Sequence, residues 1–293
     1  PHFPDGMGHA AHVKVPAGTL LSVSPDGKEV KIIASGMRNT FDIAKSPSGD
    51  VFGYDADMEY DIGTPWYRPT RVMHYIDGAE YGWRTGTAKW PEYYADSLGS
   101  VIDIGPGSPT GIVFGTGAKF PAKYQQALFI NDWTFGRIYA VHLQPDGVSY
   151  KAAKETFISG KPLPLTDISI GPDGNMYFLT GGRRLGSALY RVSYVGDEST
   201  AALATRSASE AQKKLIAIQQ SRDPKILWKA LGSEDRTLRF AARVSLETLA
   251  ITSWLDLWKE ETDPQTVITA SLAFSRKARE SKRYSINYVK LLS

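Results

Sequence analysis

Two long stretches of the chain share one alternation of apolar and polar positions. Residues 18–56 pass from Gly18 into an apolar run, Thr19 to Val23, and break at Pro25-Asp26-Gly27. A second run follows from Val30 and ends on Ser35-Gly36; a third opens at Asp42-Ile43, turns at Pro47-Ser48-Gly49 and leads into a fourth. Residues 136–181 repeat the plan, with turns at Pro145-Asp146-Gly147 and Pro172-Asp173-Gly174 and a third run at Asp167-Ile168. A further copy opens at Gly186 with Ser187-Ala188-Leu189-Tyr190-Arg191-Val192. Short β-branched and aromatic runs between Pro/Gly turns, recurring every 40–45 residues or so, predict four-stranded blades of an all-β propeller.

If the Asp-Ile run is the innermost strand, one blade extends from about Phe41 through Arg71 to Ile76 and its trailing loops. A second reaches from Thr110 to Ile158, and a third from Leu165 to Tyr194. Residues 19–34 supply only two outer strands of another. A closed ring needs at least four blades, and a bare sheet edge invites aggregation. Residues 1–195 therefore read as the C-terminal part of a propeller, about three to four blades, whose open edge further N-terminal blades or a partner chain would cover. Function is to be sought at the channel mouth.

After Gly196 the pattern changes. Residues 196–208 are small and polar, as in a linker, and helical periodicity takes over. Asp223-Pro224 and Asp263-Pro264 each place an N-cap Asp before a Pro at the first helical position, one helical-repeat period apart. Between them Leu238, Ala241, Ala242, Leu246 and Leu249 form an apolar stripe, with Arg236, Arg239 and Arg243 expected on the solvated side. Residues 209–293 are read as HEAT-like α-helical repeats that either dock a protein partner or cap the propeller.

The 293 residues suit about two domains, and 42% hydrophobic content supports packed cores. The net charge of +3 is small, and the Lys and Arg residues are scattered. No aromatic-basic stripe or zinc-finger spacing marks a nucleic-acid binder, and no apolar run reaches the roughly 20 residues of a membrane span. The absence of cysteine excludes disulfides, thiol catalysis and covalent haem attachment within these residues.

The most concentrated chemistry lies at Asp55-Ala56-Asp57-Met58-Glu59-Tyr60-Asp61. Carboxylates on alternate positions of an extended segment crowd one edge. A hard cation such as calcium would relieve them, with Asp55, Asp57, Met58 and Glu59 as candidate ligands, although Tyr60 and Trp66 stand where an EF-hand needs Gly and Glu. Equally, the acids could cap backbone N–H groups or pair with Arg68 and Arg71. Arg38, on the loop entering an inner strand, offers a fork for an anionic ligand or a blade-to-blade hydrogen bond, and Arg183 and Arg184, on a Gly-Gly turn, either meet an anion at the channel mouth or lie exposed at the surface. Trp66, Tyr67, Trp83 and Trp90 offer rings for stacking on a sugar or flat cofactor, or for core packing. No Ser-His-Asp constellation, metalloprotease helix or phosphate loop is present.

Several of these segments together resemble the soluble quinoprotein glucose and sorbosone dehydrogenases. They are Gly36-Met37-Arg38-Asn39 before an inner strand, Tyr81-Gly82-Trp83, Ser108-Pro109-Thr110-Gly111 with Phe120-Pro121, and Asp167 to Gly174. The segments Tyr54 to Pro69 and Gly105 to Gly111, with the tail after 209, also resemble large bacterial proteins known as membrane-bound dehydrogenases, in which such a propeller precedes HEAT-like repeats and often a c-type haem domain. The resemblance, covering residues 18–195, implies a six-bladed ring, pyrroloquinoline quinone and calcium over the channel, and sugar or alcohol oxidation in an extracytoplasmic, periplasmic setting. It places calcium-binding carbonyls at Asp57, Met58 and Tyr81, and cofactor contacts at Arg38 and Asn39. Where the family carries a Lys and two Arg toward the quinone, this chain has Thr134, Pro164 and Thr166. The family's catalytic His belongs to earlier blades, outside this chain. Two readings of function stay open: part of a sugar or alcohol dehydrogenase, or a non-catalytic propeller and helical module binding glycan or protein.

Overall fold

The computed structural model describes residues 2–4, 10–14, 17–57, 67–84, 88–204 and 207–280. They divide into two compact units, Pro1–Ala208 and Ser209–Ser293. Each is described by itself.

The first unit holds eighteen described strands and one short helix. Its opening strands, β1 (His2–Pro4) and β2 (Ala10–Lys14), form a hairpin. β3 (Gly18–Val23) and β4 (Val30–Met37) pair antiparallel, and β8 (Ala79–Glu80) joins β4 in parallel. β5 (Ile43–Lys45), β6 (Val51–Asp55), β7 (Thr70–Tyr75) and β11 (Ile102–Gly105) make the first full blade, in sheet order β11-β7-β6-β5. β9 (Trp83–Arg84) and β10 (Ala88–Lys89) form a small hairpin. The second blade is a four-strand meander of β12 (Pro109–Phe114), β13 (Leu128–Asp132), β14 (Arg137–Asp146) and β15 (Ser149–Ser159), with helix α1 (Ala122–Gln125) between its first two strands. The third has β16 (Leu165–Ile170), β17 (Met176–Thr180) and β18 (Ala188–Val192).

Three of the repeated turns share one geometry. Gly27, Gly49 and Gly174 each donate a backbone bond to the residue three earlier, at 2.8 to 2.9 Å. Each has φ between 72 and 101°, which glycine adopts without steric cost. The Pro145-Asp146-Gly147 copy instead lies in a tight hairpin between the long strands β14 and β15, Asp146 pairing with Ser149.

β12 packs between β5 and β16, so the three inner strands adjoin and the sheets fan outward from them, the arrangement of part of a β-propeller. The faces between neighbouring blades carry the core. Phe52, Tyr54, Val72 and Ile104 of the first blade meet Ile112, Phe114, Leu128, Ile130, Tyr139 and Val141 of the second. Phe129, Ile138 and Ala140 on the second blade's other face meet Leu165, Ile168, Met176 and Phe178 of the third. The faces turned away from these cores expose apolar side chains, including Phe41, Ile43, Leu179 and Leu189. Past the third blade the small, polar segment carries no helix or strand through Leu203, and Gln125 holds it through the carbonyl of Ala201 at 2.9 Å and the N–H of Leu203 at 3.2 Å.

The second unit is helical: α2 (Glu210–Gln220), α3 (Pro224–Ala230), α4 (Arg236–Glu247), a 3-10 turn at Ile251–Ser253, α5 (Leu255–Lys259) and α6 (Pro264–Glu280). Asp223 and Asp263 cap α3 and α6, accepting from Lys225 and Thr266 N–H at 2.8 and 2.7 Å, with Pro as the first helical residue of each. Ser209 and Gln212 form a reciprocal capping box on α2. Leu215, Leu227, Trp228, Leu238, Ala241, Leu246, Trp254 and Phe274 are all buried in this unit. One helical expectation needs correcting. Arg243 is not on the solvated side: it is 2% exposed, ion-paired to Glu247 at 2.5 Å and set over the Phe240 ring. Glu247 also meets Arg276 of α6 at 3.3 Å, which joins the Arg243–Glu247 pair of α4 to a second helix. No described helix is long and apolar enough to cross a membrane.

Candidate functional site

Strand registers decide which loops share an end of the blades. In the first blade Ile43 pairs with Gly53, Asp55 with Arg71, and Gly105 with Thr70. In the second Pro109 pairs with Asp132, and Asp132 with Arg137; in the third Leu165 pairs with Thr180. Side chains then tie these loops across blades. Asp57 accepts from Gly107 N–H at 3.2 Å, Thr110 donates to the Leu165 carbonyl at 2.9 Å, and the Trp133 indole donates to the Gly181 carbonyl at 2.8 Å. One rim of the sheets thus collects Arg38, Asn39, Asp55, Asp57, Asp132, Arg183 and Arg184.

The rim is organised around Asp55, the last residue of β6, which is wholly buried. Its carboxylate accepts from the backbone N–H of Arg38, at 3.0 and 3.1 Å to its two oxygens, from Asn39 N–H at 2.8 Å and from the Thr40 hydroxyl at 3.3 Å. Gly36 lets the loop turn into this cradle. Its φ is +87°, and a Cβ there would stand 2.6 Å from the backbone nitrogens of Tyr81 and Gly82. The Gly36-Met37-Arg38-Asn39 segment therefore has its conformation set by one carboxylate and one glycine. Arg38 is half-buried and Asn39 is exposed.

Two buried cations face Asp55. Arg71, on the neighbouring strand, lies 3.5 Å from it and donates to the Tyr81 carbonyl at 2.8 Å. Lys89, from the β9-β10 hairpin, lies 3.9 Å from it and donates to the carbonyls of Ala56 at 2.6 Å and Pro69 at 2.9 Å. These carbonyls flank the loop between β6 and β7, so the ammonium fastens both of its ends. Burial, then the nearby Arg71, lowers Lys89 to about 7, with Asp55 pulling the other way. The Tyr81 phenol, also buried, is raised by desolvation and donates to the His74 carbonyl.

For the carboxylate-rich segment, the alternative of N–H capping and arginine pairing describes Asp55, and half-buried Asp57 caps Gly107. Met58, Glu59 and Trp66 lie outside the described residues. Among the described residues no group of three or more His, Asp or Glu side chains could hold a metal ion. At Asp55 and Tyr81 the oxygens expected to meet calcium are occupied by N–H, guanidinium and ammonium donors. With one acid between two cations, that pocket does not fit a further cation.

The other candidates fall in separate places. Arg183 and Arg184 are exposed in the β17-β18 loop with φ of 48 and 65°, and the Arg183 guanidinium lies 5.1 Å from the centre of the Trp133 ring. Tyr67 is exposed, its phenol pushed up to about 12 by desolvation and then by Asp57. Trp83 is half-buried, with an indole N–H that finds no partner among the described residues. The Trp90 ring is covered by Arg84 at 4.4 Å, itself paired to Glu80 at 2.8 Å, which favours packing over ligand stacking there. Sequence reasoning missed Lys89 and Asp132. Asp132 is wholly buried at the end of β13 and accepts through one oxygen from the N–H of Ser108 and Thr134 at 3.0 Å and Phe135 at 3.4 Å. Its other oxygen has no partner among the described residues, and desolvation raises its pKa against those N–H bonds. Only its place at a strand end, on the register face of buried Leu128 and Ile130, could have signalled it.

The fold is that of part of a propeller. No protein-family model matches the chain, and no curated protein matches it. Several solved structures are similar to part of the chain at low identity. An oxidoreductase described as a glucose dehydrogenase from Thermus thermophilus is 18% identical with a TM-score of 0.44, over 55% of this chain and 46% of that one. The aldose sugar dehydrogenase of Streptomyces coelicolor, solved with pyrroloquinoline quinone bound, is 15% identical with a TM-score of 0.43, over 59% and 51%. The soluble aldose sugar dehydrogenase of Escherichia coli, in its apo form, is 20% identical with a TM-score of 0.40, over 51% and 43%. The chain spans about half the length of these structures. Likenesses of this size assign no activity to it.

Proposed function

We propose that this chain is part of a sugar- or alcohol-oxidising quinoprotein of the sugar dehydrogenase type, working outside the cytoplasm. The observation that carries the reading is the rim loop Gly36–Asn39, shaped by Gly36 and pinned by Asp55, on the same end of the blades as Arg183 and Arg184. A quinone bearing carboxylates would meet Arg38, Asn39, Arg183 and Arg184 there, and when bound it would supply the hydride-accepting chemistry. Calcium has no part in this reading at Asp55 or Tyr81. Exposed Phe41, Ile43 and Leu189 serve as faces for further blades, in the same chain or a partner. The capped helices after Ser209 serve as HEAT-like repeats that dock a protein partner, such as a c-type haem domain.

The test is titration of the native gene product with pyrroloquinoline quinone, read by absorbance, with dye-linked oxidation of aldoses and alcohols. Quinone-dependent turnover, weakened by Arg183→Ala together with Arg184→Ala, is expected. Absence of both quinone binding and quinone-dependent turnover would overturn the reading.

One observation favours a second reading, a non-catalytic module for glycan or protein. Arg71 and Lys89 satisfy the carbonyls and the acid that would otherwise call for a metal ion, so this part of the rim is complete as a structural element.

A further inference from the structure

Between the first and second blades the outer strands leave a cleft of about 300 Å³, with Ile104 and Pro106 on one side and Arg137, Tyr139, Lys154 and Thr156 on the other. Pairing of β14 with β15 sets Tyr139 opposite Thr156 and Val141 opposite Lys154, and alternation along β14 puts Arg137 on the face of Tyr139. The Arg137 guanidinium donates to the Tyr139 hydroxyl at 3.3 Å. The Lys154 ammonium stands 5.0 Å from the centre of the Tyr139 ring and donates to the Ile104 carbonyl. Among the described residues neither cation forms an ion pair.

The carboxylate that acts on both is Asp132, the register partner of Arg137. It is wholly buried and already serves three backbone N–H groups. Its attraction does not compensate Lys154, whose pKa is held below the ordinary value by burial and then by Arg137. Lys154 is partly desolvated and repelled by the solvent-exposed Arg137, and an anion between them relieves that repulsion. The volume sits at the lower end of small-molecule sites, about 300–1,000 Å³, which suits a single ring. Phe135, 41% exposed, also lines the cleft and offers an aromatic face to the C–H groups of a sugar, while Thr156 offers a hydroxyl.

We propose that this cleft binds a carboxylate-bearing monosaccharide of the uronate or aldonate class, its carboxylate between Arg137 and Lys154 and its carbon skeleton against Phe135. The site stands on these residues alone and does not depend on the dehydrogenase reading.

Calorimetric titration with glucuronate, glucose and inorganic phosphate tests it. Glucuronate should bind at least ten-fold more tightly than glucose or phosphate. Arg137→Gln and Lys154→Met should each weaken glucuronate at least ten-fold, Arg137→Gln with the unfolding curve left in place, since the Arg137 side chain is exposed. Phosphate binding as tightly as glucuronate would overturn recognition of the sugar. Glucose binding equally well, no glucuronate binding, or unchanged affinity in both variants would overturn the site.

Discussion

Replacing Asp55 by Asn tests the account of the rim most directly, because it removes one charge while keeping the side chain's shape. The wild-type carboxylate has no solvent contact, accepts three hydrogen bonds from Arg38, Asn39 and Thr40, and lies 3.5 and 3.9 Å from the Arg71 and Lys89 cations. In the variant both cations lose their buried counter-charge, and the new amide turns a donor toward groups that are themselves donors. Breaking a buried ion pair from one side costs about 3–5 kcal/mol, so Asp55→Asn should destabilise the first unit by that amount. Lys89→Met alone leaves the Ala56 and Pro69 carbonyls without their donor, at about 1–3 kcal/mol for a buried unsatisfied group. The double variant should be less destabilised than the sum of the singles by about 1–3 kcal/mol, since one orphaned cation is gone. Urea unfolding gives the energies, and hydrogen exchange should place the loss in peptides spanning residues 34–57. A single-variant cost below about 1 kcal/mol, or strict additivity, would refute the claim that Asp55 and its cations organise this rim.

Lys89 also sets a pH dependence. Its folded value of about 7 lies below the ordinary 10.5, so between these pH values the unfolded chain holds the extra proton and stability rises with pH. The rise should approach about 1.4 kcal/mol per pH unit over that window, and denaturant titrations of Lys89→Met should lack it. Gly36→Ala forces a Cβ toward backbone nitrogens at a φ of +87° and should cost at least about 1–3 kcal/mol, read as a lowered urea midpoint. Asp223→Ala removes the cap on α3 and should cost about 0.5–2 kcal/mol in the helical unit, read by circular dichroism.

What the sequence determined by itself was local. The Pro-x-Gly turns could be read because a glycine at positive φ is a requirement of the turn alone, met in the same way at Gly27, Gly49 and Gly174. The blades followed from apolar periodicity between those turns, and the helix starts at Pro224 and Pro264 from cap chemistry within a few residues. The rim sequence Gly36–Asn39 was visible as a motif, although its role as a cradle for a carboxylate was not.

Tertiary structure decided how charge is balanced. Crowded acids announce that compensation is needed, and any cation close in space can provide it, whether an ion or a side chain from a remote strand. At Asp55 it is Arg71 and Lys89, and Lys89 arrives from a separate hairpin that no local pattern connects to β6. Arg243 is a different case: helical periodicity assigned it to solvent, whereas packing buries it beside Glu247, its own-helix neighbour four residues on, which Arg276 of α6 also reaches. The Arg137 and Lys154 cleft exists only because strand register sets two cations from different strands on one face against the neighbouring blade. Backbone conformation is governed by neighbours in the chain, but electrostatic partnership depends on distance and burial, which the fold alone supplies.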